Sequence, residues 1–276
     1  MLRIAFRVAA DDKETVLDAL MPLLPTGVCE EPSEDGTVEL ASVGTAATLP
    51  SRETLEAAAG RVLDGFETGE VPADWRARRA RYGGGAFVLG GRLVVRSPWD
   101  PPAPDGMLEV VIERTGNAFG SGSHPTTQMC LSLLLDLPVG KGGAADLGCG
   151  IGTLGIAAAR LGWAPVAALD RVEAAVDAAR ANAQRNGVEL ECAVADLEAD
   201  NFEGFAAREL LLVNAPPPVH ERVAASLAPE VRQVIVSGIV GTEVGPVRER
   251  YAEAGLEPAA GFEEDTWAAL RLERRA

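Results

Sequence analysis

Apolar and polar positions alternate in LRIAFRVA (residues 2–9), the period of a half-buried strand. They then recur at helical spacing in DDKETVLDALMPLL (11–24), behind an acidic start. GVCEE and TVELASV read as two short strands around Asp35-Gly36, and SRETLEAAAGRVLDGF (51–66), opening with Ser51, reads as a second helix. The order strand, helix, strand, strand, helix predicts a small α+β module of the ferredoxin-like kind over residues 1–70, with the closing strand its weakest element. A Pro- and Arg-bearing stretch, VPADWRARRARYGGGA, follows as a linker over 71–90. Its Gly83-Gly84-Gly85 triplet suits a hinge, and its arginines between Trp75 and Tyr82 suit a solvated helix face.

Beyond about residue 86 the pattern changes to strands and helices in alternation. Strands are read at GRLVVR, AADL, PVAALD, ELECAV, ELLLVN, QVIVSG, LEPAAGF and TWAALRL, and helices at about 153–161, 172–186, 219–228 and 243–254. Such alternation predicts a doubly wound α/β sheet, here a domain spanning 91–276. Glycines at Gly187 and Gly255 supply the left-handed positions that end two of these helices.

Composition narrows the class. Apolar residues make up 47% and charged residues 24% of the 276, which points to a folded globular protein rather than a disordered one. The formal charge is −16, so electrostatic binding to nucleic acid is disfavoured. That charge is uneven: residues 1–70 hold 14 acids and 5 bases, while 71–110 hold 4 acids and 6 bases. Five acids, Glu30, Glu31, Glu34, Asp35 and Glu39, fall within ten residues, either as a solvated face or as a surface for a basic partner. Lysine occurs only at Lys13 and Lys141, which is put down to coding bias. Cys29, Cys130, Cys149 and Cys192 show neither CxxC pairing nor metal-ligand spacing, so reduced thiols and no metal are expected. Acids at Asp11 and Asp12 interrupt any signal-length apolar segment, and no apolar run reaches the ~18 residues of a membrane span. A cytoplasmic protein, with no membrane partner and monomeric, is the expectation.

The chemistry gathers in AADLGCGIGTLGIAAARLG, where Gly148, Gly150 and Gly152 stand between a strand and a helix. Such a turn brings backbone amides and a helix N-terminus close to a ligand. Asp170 ends the next strand, where a carboxylate can accept ribose hydroxyls or simply cap the helix from Arg171. Ala195-Asp196-Leu197 after the third strand suits an adenine. Asn214-Ala215-Pro216-Pro217-Pro218 after the fourth offers an amide and proline-fixed carbonyls, a rigid acceptor set for a neutral amine, or else a strand-terminating loop. Nicotinamide oxidoreductases and methyltransferases both use this frame, but the last two turns fit amine methylation by S-adenosylmethionine. No Ser/His/Asp or Cys/His nucleophile arrangement is required.

Upstream, NAFGSGSHPTTQMCLSLLLDL runs a Gly- and Ser-rich loop into an apolar helix that Thr126 or Thr127 can cap. The combination AFGSGSHPTT, DLGCGIGTLGIAAARLG, ALD and VNA resembles the PrmA family, the methyltransferases of bacterial ribosomal protein L11. PADW and SPW, with Trp75 and Trp99, look like that family's interdomain segment. The resemblance covers nearly all of 72–276 and implies a Rossmann-like, seven-stranded class I methyltransferase domain, with the acidic module in the place of the family's substrate-recognition domain. It implies S-adenosylmethionine contacts at Thr127, Gly148, Gly150, Asp170 and Asn214, closure by Phe119 and Gly120, and Asp196 near the adenine, with Asn214 as the catalytic residue. It also implies a basic ribosomal protein as substrate, methylated on lysine side-chain and N-terminal amines. His124 is expected to shape its loop rather than act as a base, and His220 to be ordinary surface.

The chain departs from the family pattern in three places. Ser121 and Ser123 replace a Thr pair, Arg79 stands where a second linker Trp is common, and Ala215 with three prolines replaces Ile and Leu after Asn214. Two other functions therefore stay open: a related methyltransferase acting on another protein or small-molecule amine, and a cofactor-binding protein without catalysis.

Overall fold

The structure, a computed structural model, describes residues 2–20, 23–24, 28–33, 35–75, 86–98, 100, 102–113, 124–140, 142–264 and 266–275. The chain divides into two compact units, one of residues 1–87 with 96–101 and 113–117, the other of 88–95, 102–112 and 118–276. The Gly83–Gly85 hinge, the linker arginines including Arg79, and Trp99, Phe119, Gly120, Ser121 and Ser123 lie outside the described residues.

In the first unit β1 (Leu2–Ala9), α1 (Lys13–Leu20), β2 (Cys29–Pro32), β3 (Thr37–Gly44), α2 (Arg52–Ala59) and β4 (Asp64–Glu70) follow in order. The sheet order is β2-β3-β1-β4 with every pairing antiparallel, the ferredoxin-like arrangement. Strand periodicity builds its core: Ile4, Phe6 and Val8 from β1 join Val38, Leu40, Val16, Leu20 and Leu55, while Ala5, Ala41 and Val43 turn the other way and meet Trp75. The second helix is shorter than the pattern predicts. Ser51 caps it by accepting the Thr54 N–H at 3.2 Å, and Gly60, at a left-handed φ of 65°, stops it after Ala59. Beyond that stop Val62 is exposed and Leu63 fully buried, and Asp64–Glu70 becomes the closing strand the sequence pattern had merged into the helix.

A three-stranded sheet, β5 (Phe87–Leu89), β6 (Leu93–Arg96) and β7 (Leu108–Val111), holds GRLVVR, which the alternation assigns to the large sheet. The reason is local. Gly90 and Gly91, both at positive φ, make a two-residue hairpin turn closed by Arg92 N–H to Leu89 O, so β6 pairs with its neighbours in the chain.

The large sheet has the order β10-β9-β8-β11-β12-β14-β13. It comprises β8 (Ala144–Leu147), β9 (Val166–Asp170), β10 (Glu191–Val194), β11 (Leu210–Asn214), β12 (Gln233–Val240), β13 (Leu256–Glu264) and β14 (Trp267–Arg274). The first five run parallel, and β14 is antiparallel to both its neighbours. Its central strands are buried on both faces and read as continuous apolar runs, as covered parallel sheets do. The helices are α3 (Pro125–Leu135), α4 (Thr153–Arg160), α5 (Glu173–Arg185), the short α6 (Glu203–Ala206), α7 (Pro217–Ala225) and α8 (Gly241–Glu253). Leu211 and Val213 of β11 pack with Val219 and Val223 of α7 and Val247 and Tyr251 of α8 in one core. The strand order reverses between β8 and β11, which opens a crevice at their carboxyl ends.

Candidate functional site

A cavity of about 300 Å³ occupies that crevice. It is lined by Thr127 from α3, Asp146 from β8 with Gly148 to Gly150 from its turn, Thr153 and Leu154 from α4, Asp170 and Arg171 from the end of β9, Ala195 to Glu198 after β10, and Asn214 to Pro216 with Val219 from the end of β11 onward. Six of the residues singled out in the sequence, Thr127, Gly148, Gly150, Asp170, Asp196 and Asn214, thus meet around one space. Phe119 and Gly120 lie outside the described residues.

The glycine turn is built by internal bonds. Gly148, Gly150 and Gly152 take φ of 82°, 51° and 88°, which a side chain would strain, and a Cβ at Gly152 would press on Ala179 of α5 at 3.1 Å. The amides of residues 148–150 are engaged within the protein. Gly148 and Cys149 both donate to Leu169 O at 2.8 Å, and Gly150 donates to Asp170 Oδ2 at 2.9 Å. These glycines therefore contribute wall and curvature. Asp170 also accepts the Val172 N–H on Oδ1 at 2.9 Å, so its carboxylate ties the turn to the start of α5 while lining the cavity. Asp196 accepts the Glu198 N–H at 3.0 Å, and its own N–H donates to Asp200 at 2.8 Å.

Asp146 was not singled out in the sequence, although an acid inside the apolar run AADL is itself a signal. It is buried, lines the cavity, and accepts the Gly155 N–H at 2.8 Å, capping α4 from beneath. Burial pushes its carboxyl up to about 7 against the pull of the Gly155 bond, with the nearby Asp170 charge adding to the rise. Such a group favours a cationic neighbour.

Among the described residues the opposite wall carries no charge. Asn214 Nδ2 donates to Thr126 Oγ1 at 3.2 Å and lies 3.5 Å from Thr127 Oγ1. Both threonines are buried in the first turn of α3, whose actual cap is His124: its Nδ1 accepts the Thr126 N–H at 3.3 Å and lies 2.7 Å from Thr126 Oγ1. The His124 ring also meets Trp267 edge-on at 5.2 Å. With its nitrogen tied back to α3, Asn214 keeps its carbonyl oxygen for the cavity.

The prolines after Asn214 act differently from the expected acceptor loop. Pro216 is the N-cap of α7, and Pro217 and Pro218 form its first turn, where a missing N–H and a fixed φ suit the helix start. The Pro216 carbonyl accepts the Val219 N–H at 3.1 Å, so Asn214 remains the acceptor beside Ala215, Pro216 and Val219. His220, expected on the surface, is fully buried, with Nε2 2.9 Å from Ser237 O and Nδ1 3.2 Å from Tyr251 Oη.

Residues 72–275 match the family model described as ribosomal protein L11 methyltransferase (PrmA). A ribosomal protein L11 methyltransferase of Symbiobacterium thermophilum is 37% identical over 186 residues, 66% of this chain and 60% of that protein; one of Parasynechococcus marenigrum is 35% identical over 197 residues, 68% of each chain. The first match spans less than two thirds of its relative's length. The crystal structure of ribosomal protein L11 methylase from Lactobacillus delbrueckii subsp. bulgaricus aligns with a TM-score of 0.60 at 26% identity, covering 70% of this chain and 100% of that one. With the glycine turn, the Asp170 strand end and the Asn214 turn all falling inside the matched region, this chain belongs to the PrmA family.

Proposed function

We propose that the chain is an S-adenosylmethionine-dependent protein methyltransferase acting on ribosomal protein L11, at lysine side-chain and N-terminal amines. The observation that carries this reading is the cavity's division into an acidic wall at Asp146, Asp170 and Asp196 and a neutral wall at Asn214, Ala215 and Pro216. A buried carboxylate raised to about 7 suits a ligand bearing positive charge, which is the fit expected for this cofactor. When bound, S-adenosylmethionine supplies a methyl group already activated on a sulfonium.

The chain's own residues then orient and exclude water. Thr127, Gly148, Gly150, Asp170, Asp196 and Asn214 contact the cofactor, and Phe119 and Gly120 belong to the segment assigned to closing over it. Asn214 Oδ1 accepts an N–H of the incoming amine and aims its lone pair, while Ala215, Pro216 and Val219 keep the amine's surroundings apolar and favour its uncharged form. An ammonium has no lone pair and must first give a proton to water, so surroundings that favour the neutral amine serve the reaction directly. The work is alignment of a displacement, and no side-chain nucleophile is needed.

The module over 1–70 is assigned to substrate recognition, 71–90 to the linker and 91–276 to methyl transfer, in a cytoplasmic monomer without nucleic-acid or membrane partners. Within the module Lys13 and Arg3 pair with Glu30 and Glu39, and its remaining acidity suits a basic protein drawn in by long-range attraction. The Ala215-Pro216-Pro217-Pro218 sequence favours a second reading in which the acceptor is another protein or a small-molecule amine. Purified protein with labelled cofactor and L11 decides between them. Label in L11 supports the first reading, label only in other lysate components supports the second, and saturable cofactor binding without transfer to any acceptor refutes both.

A further inference from the structure

The turn that carries Asn214 rests on a buried polar group set that the proposed transfer does not itself use. Ser237 lies beside Asn214 in the parallel pairing of β12 with β11. Just there the pairing of β12 with β14 slips between Val236 and Ile239, a bulge that takes Gly238 to a φ of 80°. Two donors converge on the Ser237 carbonyl: the Ala215 N–H at 3.0 Å and His220 Nε2 at 2.9 Å. A carbonyl only accepts, so Nε2 carries the ring hydrogen and Nδ1 accepts from the Tyr251 hydroxyl at 3.2 Å. The Ser237 hydroxyl donates to Ala268 O at 2.8 Å. On the other side, a Cβ on Gly238 would lie 2.7 Å from both the nitrogen and the oxygen of Ala215. The peptide following Asn214 is thus clamped between a glycine that leaves just enough room and a carbonyl shared with a histidine.

Tyr251 belongs to the apolar core with Val219, Val223, Val236, Ile239 and Val247, and its partner His220 is fully buried, where apolar side chains would fill the space without any polar group to satisfy. Burial lowers the His220 pKa and raises that of Tyr251, so both stay neutral and keep the donor-acceptor order just described. What the imidazole adds beyond volume is the second bond to Ser237 O, together with its interaction with the Ala215 backbone carbonyl. That bond fixes the carbonyl's direction and, through the Ala215 N–H, the pitch of the turn that presents Asn214.

We propose that His220 is a positioning residue for Asn214, acting through the Ser237 carbonyl and Ala215, with Tyr251 holding its ring and Gly238 completing the clamp. This rests on the reading of Asn214 as the residue that aligns the acceptor amine. A misplacement of the turn by a fraction of an ångström would slow transfer while leaving cofactor contacts on the other wall intact.

The test compares H220L, H220Q and Y251F in the full chain. Leu keeps the volume and drops the donor, whereas Gln can place an N–H near the position of Nε2. For H220L, kcat should fall about 10- to 100-fold with the cofactor Kd within about 3-fold of the wild type. H220Q should recover at least half of that loss on a logarithmic scale, and Y251F, should H220L fail to fold, should lower kcat about 3- to 10-fold. Amide hydrogen exchange gives a readout independent of activity: Ala215 should exchange at least about 10-fold faster in H220L and Y251F but not in H220Q. Wild-type kcat and unchanged Ala215 exchange in H220L or Y251F would overturn the inference, as would equal impairment of H220L and H220Q. A wild-type protein that transfers no methyl group to any amine would instead count against the proposed function, and the exchange comparison would still decide the clamp.

Discussion

The two walls of the cavity are built on opposite principles. On the β8–β9–β10 side, carboxylates do the shaping: Asp146 caps α4 from below, Asp170 holds both the glycine turn and the start of α5, and Asp196 folds its own loop. On the β11–β12 side the shaping groups are neutral, an amide held by two threonines and a peptide held by a carbonyl that a histidine shares. The contrast teaches that one crevice can favour a positive charge along one edge and an uncharged group along the other. A carboxylate in place of Asn214 would favour the ammonium form of the acceptor, and a neutral group in place of Asp146 would remove a charge suited to a cationic cofactor.

The largest effect should come from breaking the neutral wall. Asn214→Ala is expected to lower kcat by about 100- to 1,000-fold while weakening cofactor affinity far less, by about 10-fold at most, measured by labelled-methyl transfer and calorimetry. A large loss of cofactor binding would show that the walls do not divide the work. Breaking the acidic wall at Asp170→Ala should do the reverse, weakening cofactor binding about 30- to 100-fold. Because two backbone N–H bonds go with it, it should also lower stability by about 1–3 kcal/mol in denaturant unfolding.

A smaller effect should follow pH through Asp146. Its folded pKa, about 7, lies above the ~3.9 of an unfolded chain, so the folded protein binds more protons between those values. The ligand-free protein therefore loses stability as pH rises from about 4 through about 7. Asp146→Asn should accordingly raise Tm more at pH 8 than at pH 5. A cationic cofactor reverses the preference by binding the ionised form better: affinity should climb several-fold from pH 6 to 8 in the wild type and stay flat in the Asn variant, as calorimetry would read. The smallest effect is expected from Pro216→Ala, which loosens the neutral wall at the α7 cap. It should raise the acceptor KM about 3-fold without touching cofactor affinity; an unchanged KM would mean the turn is held by the Ser237 clamp alone.

Much of the large sheet was legible because strands buried on both faces read as apolar runs separated by turns. The glycine turn and Asn214 were legible because each stands at a strand end followed by helix-starting residues. The misreadings share a cause. SRETLEAAAGRVLDGF reads as one helix because Leu63 and Phe66 continue the apolar spacing, yet Gly60 ends the helix and the sheet edge along β1 takes the rest. GRLVVR looks like any other strand, and the Gly90-Gly91 turn gives it a local partner. His220 looks like a surface residue because it follows three prolines and precedes Glu221 and Arg222, and no periodic pattern marks a single buried polar position.

The order of strands and helices from residue 144 onward, the acid-rich first module, and the Gly148, Asp170 and Asn214 turns are properties of the sequence alone, since propensity, period and turn chemistry act over a few residues. Which amides of the glycine turn remain for a ligand, which carboxylate is buried, and what holds Asn214 in place were decided by the tertiary structure. Those outcomes depend on Leu169, Asp170, Thr126 and Ser237 arriving from distant parts of the chain. A hydrogen bond across 88 residues, such as Asn214 to Thr126, leaves no trace in local spacing, and it is set when the sheet reverses its order between β8 and β11.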